Sequence, residues 1–183
     1  MKINFKDEEK LKTLITEEFG EWSAPLIIDQ QMINEFAELS GDKMWMHIDE
    51  ERCKKESPYG TTIVHGFLLL SCLPKMPNKT SVIADIEGYG FMMNYGSDRL
   101  RFAGAVPVNS SVHSRTRVKA IEVTDKNTRL TTEQHVHIVG EERPAMIYEL
   151  TMVMMQVVMR LLQLLVVVHM VKWEILEMKL IPD

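Results

Sequence analysis

In the stretch FAELSGDKMWMHID, residues 36–49, a carboxylate, Asp42, stands five residues before an imidazole, His47, and a second carboxylate, Asp49, follows two residues later. Five residues reach at most about 18 Å when extended, and a curved loop brings both side chains within reach of one water. A carboxylate and an imidazole sharing a water form a general acid–base pair. Gly41 frees the backbone where the loop begins, and Trp45 and Met46 are apolar enough to wall a dry site. A polar loop that is merely solvated has the same composition, so these residue types alone leave both readings open. Asp49 has a simpler role available, as the cap of a short exposed helical turn over DEERCKKE, 49–56.

A second group lies in TIVHGF, residues 62–67. Gly66 falls in the first turn of an apolar segment. Backbone N–H groups at the start of a helix lack partners within the helix and carry the positive end of its dipole. A glycine there lets a carbonyl approach without meeting a Cβ, which suits an oxyanion site. Close packing of helix on sheet requires a glycine equally well. The neighbouring His65 reads as a structural histidine more readily than as a catalytic one.

The elements that must position these residues follow from periodicity. Asp29 caps a helix through about Ser40, with Ile33, Phe36, Ala37 and Leu39 near one face and Gly41 as the stop. SPYG, 57–60, is a turn. TTIVHGFLLLSCLPKM, 61–76, reads as one apolar helix capped by Thr61 or Thr62, ended by Pro74 and buried all round. The period then changes to two. Strands are expected over 98–104, 110–123, 128–139 and 145–158. In the second of these Val112, Ser114, Thr116, Val118 and Ala120 share one face, and His113, Arg115, Arg117 and Lys119 the other. Helices first and an antiparallel sheet afterwards make an α+β layer pattern, a sheet wrapped around a central helix.

Composition bounds the function classes. The chain has 183 residues, 45% hydrophobic and 26% charged, and a net charge of −5. That suits one domain with a proper core and argues against a nucleic-acid surface, which needs a basic stripe. Cys53 and Cys72 stand apart with no C-x-x-C and read as reduced thiols of a cytoplasmic protein. The N-terminus carries acids and lacks an apolar signal segment. MVMMQVVMRLLQLLVVVHMV, 152–171, is long enough for a membrane span, but Arg160 near its middle disfavours one. A buried strand leading into an apolar helix or further strand is preferred.

FAELSGDKMWMHIDEERCKKESPYGTTIVHGFLLLSCLP resembles the hydratase signature of the MaoC-like hot-dog proteins, the family of (R)-specific enoyl-CoA hydratases. The shared pattern is an Asp, a His five residues on, an acidic residue, and an HG pair about two dozen residues after the Asp. MNYGSDRLRFAGAVPVNSSV, 93–112, is similar to the stretch that follows in that family. A nodulation-N-like subgroup is the most similar. The resemblance spans roughly residues 25–150, a single hot-dog domain being expected over 1–158 and an atypical apolar extension over 159–183.

The resemblance implies a hot-dog fold, a homodimer and an acyl-CoA or acyl carrier protein thioester as substrate in fatty acid metabolism. Asp42 and His47 would be the catalytic pair, in a loop beside the groove and outside the core, and the Gly66 N–H would hold the thioester carbonyl. Trp45, His65, Asn94, Tyr95 and Arg101 are the candidate substrate contacts. Asn94 and Tyr95 suit a substrate tunnel or a plain turn; Arg99 and Arg101 suit CoA phosphates or a solvated strand face. His135 and His137 share a strand face without the further ligands a metal needs, and Asp42, His47 and Asp49 make a poor metal trio. No metal or redox cofactor is implied. Two departures stand out: Met44 where many relatives have Asn, and Trp45 in place of Pro. A hot-dog thioesterase is the first alternative, against which residues 63–73 offer no carboxylate. A non-catalytic acyl-thioester-binding module is the second.

Overall fold

A computed structural model describes residues 2–77 and 82–156. A five-stranded antiparallel sheet is its frame. The strands are β2 (Leu26–Ile27), β4 (Phe91–Phe102), β5 (Ser111–Val123), β6 (Asn127–Ile138) and β7 (Met146–Met155), ordered β2-β5-β6-β7-β4. β1 (Ile3–Asn4) and β3 (Ile86–Glu87) pair separately in parallel. The helices are α1 (Glu8–Lys12), α2 (Gln30–Ser40), α3 (Trp45–Ile48), α4 (Glu50–Glu56) and α5 (Gly66–Ser71).

α2 forms where capping and patterning place it. The Asp29 side chain accepts from the Met32 N–H at 2.9 Å, and Ile33 and Ala37 are buried one turn apart. Gly41 ends the helix at φ 79°, a left-handed value that costs an ordinary side chain strain. Asp49 caps α4 by accepting from the Arg52 N–H at 3.0 Å.

The central helix is shorter than its apolar run suggests. Only 66–71 is α-helical, with a 3-10 turn at Leu73–Lys75 that holds Pro74. Neither Thr61 nor Thr62 caps it; His65 occupies that position with no side-chain cap bond. Residues 62–65 are instead held by tertiary hydrogen bonds. The N–H of Ile63 donates to the Met46 carbonyl, that of Val64 to Val106, and that of Val108 to Thr62. The β-branched run TTIV suits such an extended strap better than a helix. α5 is also not buried all round: Leu68 and Leu69 are inside, whereas Phe67 is exposed.

Alternation along β5 holds as far as Val118. There the pairing with β6 slips by one residue, which turns Ala120 outward and brings Ile121 in. β4 begins seven residues earlier than the pattern at 98–104 indicates, because two register shifts between Asn94 and Arg99 break its alternation. Residues 16–24 run along the outer edge of β5, with N–H donors from Thr16, Gly20 and Ser23 to the carbonyls of Val118, Thr116 and Ser114. That edge is thereby covered, whereas β4 leaves the opposite edge open.

Two apolar clusters fill the concave side. One packs Val64, Leu68 and Leu69 against Val112, Val136 and Met146; the other gathers Phe5, Leu11 and Ile86 on Val118, Leu130 and Met154. The convex face is polar: Arg117 pairs with Glu133 and Lys119 with Glu149, and Trp22 stacks on His113 at 3.8 Å. Residues 157–183, and with them most of the apolar tail, lie outside the described residues. Among those described, no helix is long and apolar enough to cross a membrane.

Candidate functional site

The strap at 62–65 and the turn α3 meet at two stacked imidazoles. The rings of His47 and His65 lie 3.8 Å apart at 26°. His47 therefore sits in a helical turn rather than an irregular loop, and it is buried, at 8% exposure. The expectation that it stands outside the core is corrected on this point: the His47 backbone N–H bonds Met44, and Trp45–Ile48 closes down onto the strap. Asp42 is exposed, as expected of a loop residue.

Both tautomers are fixed by backbone carbonyls, which only accept. His47 Nδ1 lies 2.7 Å from the Ile63 carbonyl oxygen, so Nδ1 carries the hydrogen and Nε2 presents a lone pair. His65 Nε2 lies 2.9 Å from the Asp42 carbonyl oxygen, so there Nε2 donates and Nδ1 is the bare nitrogen. That Nδ1 is buried without a partner among the described residues. Burial pushes the His65 pKa below the ordinary histidine value, against the opposing pull of its bond to Asp42.

Gln30 completes the support. Its side-chain amide donates to the His47 carbonyl at 2.8 Å and its carbonyl accepts from the fully buried Thr62 hydroxyl at 2.5 Å. Phe36 packs on His65 with ring centroids 5.1 Å apart. Periodicity places Phe36 on a helix face without pointing to His65, and nothing in the spacing points to Gln30. A glutamine in the first turn of a helix has no distinctive spacing, and its partner lies 32 positions away.

Gly66 follows His65 directly. A Cβ built there would lie 2.9 Å from three ring atoms of Phe102, so a larger residue would require that side chain to shift. Asp42, His47, His65 and Gly66 are thus brought together. Trp45 is turned toward α4, where the Arg52 guanidinium lies 4.3 Å over its ring. Asn94 lines a cavity of about 800 Å³ toward the other end of α5, which none of those four residues borders. Tyr95 is exposed and lies under Arg129. Arg101 is exposed on β4, its guanidinium donating to the Leu100 carbonyl; Arg99 faces Glu149 at 3.4 Å.

The Asp42 carboxylate and the two imidazoles offer ligand atoms all within 4.8 Å of one another. A tetrahedral zinc needs its ligands about 3.4 Å apart and in the plane of each imidazole. Rings stacked at 3.8 Å cannot both hold one ion in plane, so this donor set fits water better than metal. His135 and His137 are engaged separately, with Glu133 and with the Glu141 carbonyl.

Comparison with known proteins agrees with this architecture. The MaoC like domain matches residues 10–140. The chain is 34% identical over 123 residues to 3-hydroxyacyl-thioester dehydratase Z of Mycobacterium tuberculosis, covering 67% of this chain and 79% of the relative. It is 37% identical over 135 residues to nodulation protein N of Rhizobium leguminosarum bv. viciae, covering 72% and 81%. Among solved structures, the (R)-hydratase from A. caviae involved in PHA biosynthesis superposes with a TM-score of 0.58 at 22% identity, over 75% of this chain and 96% of that one. A monoamine oxidase regulatory protein of Archaeoglobus superposes with a TM-score of 0.64 at 19% identity, over 85% and 96%. The sheet wrapped on α5 is the hot-dog fold of these neighbours, and the chain belongs to the MaoC-like dehydratase family.

Proposed function

We propose that this protein is a lyase that adds water across the trans-2 double bond of an enoyl-thioester, giving the (R)-3-hydroxyacyl-thioester, or runs the reverse dehydration. Relatives named as a hydroxyacyl-thioester dehydratase and an (R)-hydratase support that reaction class. The observation that carries the residue assignment is the bond from His47 Nδ1–H to the Ile63 carbonyl, which leaves Nε2 as an acceptor beside the Asp42 loop.

Water held between Nε2 and the Asp42 carboxylate loses a proton to the pair as its oxygen bonds to C3. The π electrons of C2=C3 move toward the thioester carbonyl, whose developing negative charge meets the Gly66 N–H at the start of α5. A proton returned to C2 restores the thioester, so that water is added overall and nothing is oxidised. Asp42 and His47 act as a unit, sharing the acid and base roles. His65 holds Asp42 through its backbone and stays neutral.

The protein acts as a homodimer in this reading. β4 is an open edge bearing exposed Phe91, Met93, Tyr95 and Phe102, with Phe67 against Phe102 at 5.5 Å. CoA or an acyl carrier protein delivers the acyl group. The test is the loss of enoyl-thioester absorbance on crotonyl-CoA: hydration supports the assignment. Release of free CoA with the double bond intact would replace it with thioester hydrolysis, and binding without turnover would leave a binding module.

A further inference from the structure

The cavity at the C-terminal end of α5 takes no part in the acid–base step. It holds about 800 Å³ between Leu70 and Ser71 of the helix and the concave face of the sheet. Leu14, Leu73 and Leu150 make part of its wall apolar. Its floor is different. Thr116 stands opposite Gln134 across β5 and β6, and Gln134 stands opposite Tyr148 across β6 and β7. Three hydrogen-bonding side chains therefore form one row across three strands, and all three line the cavity.

The placement of that row is unusual for a sheet that covers a core. The next concave row on one side is Ser114, Val136 and Met146; on the other it is Val118, Thr132 and Leu150. The polar row thus interrupts the seam between the two apolar clusters, where leucine or valine would let them merge. Gln134 and Tyr148 are half-buried, and neither side chain bonds another group among the described residues. Gln134 offers two N–H donors and an acceptor, and Tyr148 an O–H. Burial raises the Tyr148 pKa, which keeps the phenol protonated as a donor.

The reach from the proposed site is short. Leu70 lies one turn, about 6 Å, past Gly66. Three carbon–carbon bonds of about 1.5 Å do not cover that span, so only a chain longer than four carbons enters the cavity. A plain alkyl chain filling it would strip water from Gln134 and Tyr148 and return no hydrogen bond, which is costly.

In the hydratase reading the distal part of the acyl chain lies in this cavity, and we propose that Gln134 and Tyr148 there select enoyl-thioesters carrying a hydroxyl or carbonyl oxygen beyond C4 over unsubstituted chains of the same length. This rests on the hydratase reading and names its substrate class. The test compares kcat/KM for crotonyl-CoA, trans-2-decenoyl-CoA and a trans-2-decenoyl-CoA bearing a keto group in the distal half, in the wild type and in Gln134→Leu with Tyr148→Phe. The wild type is expected to prefer the keto chain by roughly tenfold or more, the scale of one unpaired buried hydrogen-bonding group. The double variant should favour the plain chain, with crotonyl-CoA turnover unchanged as proof that fold and acid–base site are intact. A wild type that handles the plain chain as well as the keto chain overturns the proposal. So does a double variant with crotonyl-CoA turnover intact and its selectivity unmoved. If not even crotonyl-CoA is hydrated, the failure lies with the hydratase reading, and the selectivity proposal falls with it.

Discussion

Truncating His47 separates the chemical from the structural share of the stacked pair. In His47→Ala the Nε2 lone pair is lost, and hydration of crotonyl-CoA should fall by roughly a hundredfold to ten-thousandfold, the range for a general acid–base group. A hundredfold corresponds to about 2.7 kcal/mol of transition-state stabilisation. The same change leaves the Ile63 carbonyl without its donor, which costs about 1–3 kcal/mol, and removes the ring stacked on His65, about 0.5–1.5 kcal/mol. The sum, about 1.5–4.5 kcal/mol, lies within the stability of an ordinary domain, so the variant folds with Tm lowered by about 3–18 °C. Asp42→Asn should match the activity loss with Tm nearly unmoved. Its side chain is exposed, and the bond from His65 goes to the backbone carbonyl, which any residue supplies. The double variant should be little worse than either single one, because a pair acting as a unit is lost once. The assay is enoyl absorbance at 25 °C alongside thermal unfolding by circular dichroism. A folded His47→Ala within tenfold of the wild type would refute the assignment, as would losses that multiply in the double variant.

Gly66→Ala should depress kcat more than Tm, since the added methyl enters the approach to the thioester and meets only the movable Phe102 ring; steady-state kinetics with a melting curve checks this. Asp49→Ala should cost about 1 kcal/mol as a lost cap and leave crotonyl-CoA turnover within a few-fold, read by urea denaturation and the same assay. Stability should fall as pH drops below about 6.5, because burial lowers the pKa of His65, His113 and His137 and the unfolded chain then binds more protons; unfolding midpoints at pH 7.5 and 5.5 give the sign. Light scattering should give twice the 21.1 kDa chain mass, and Phe91→Lys with Met93→Lys should halve it; a wild-type monomer would remove the proposed dimer.

What could be read from the chain was local. Asp29, Gly41 and Asp49 announce their helix ends, because a cap is chemistry within three residues. The long strands β5, β6 and β7 announce themselves by alternation. The short α5 does not, because an apolar run of 16 residues looks like one helix until long-range hydrogen bonds claim residues 62–65. The bulge at Lys119 is equally silent, since Ala120 fits either face. At the site the spacing from Asp42 to His47 was legible, and the HG pair drew attention to Gly66. The stacking of His65 on His47 was not, because it depends on how the strap crosses α3, which no spacing records.

That crossing also bears on the two departures from the family pattern at positions 44 and 45. The two imidazoles are oriented by main-chain carbonyls, Ile63 for His47 and Asp42 for His65, and the His47 carbonyl is in turn held by Gln30. No step of this support uses the side chain at 44 or 45. Met44 is half-exposed and gives only its backbone, accepting from His47 N–H and donating weakly to Asp42, while Trp45 packs under Arg52. A missing Asn and Pro therefore leave the Asp42–His47 geometry standing. The residues whose loss would disturb it are those that fix the strap, Thr62 and Gln30, which reach His47 only through its backbone carbonyl.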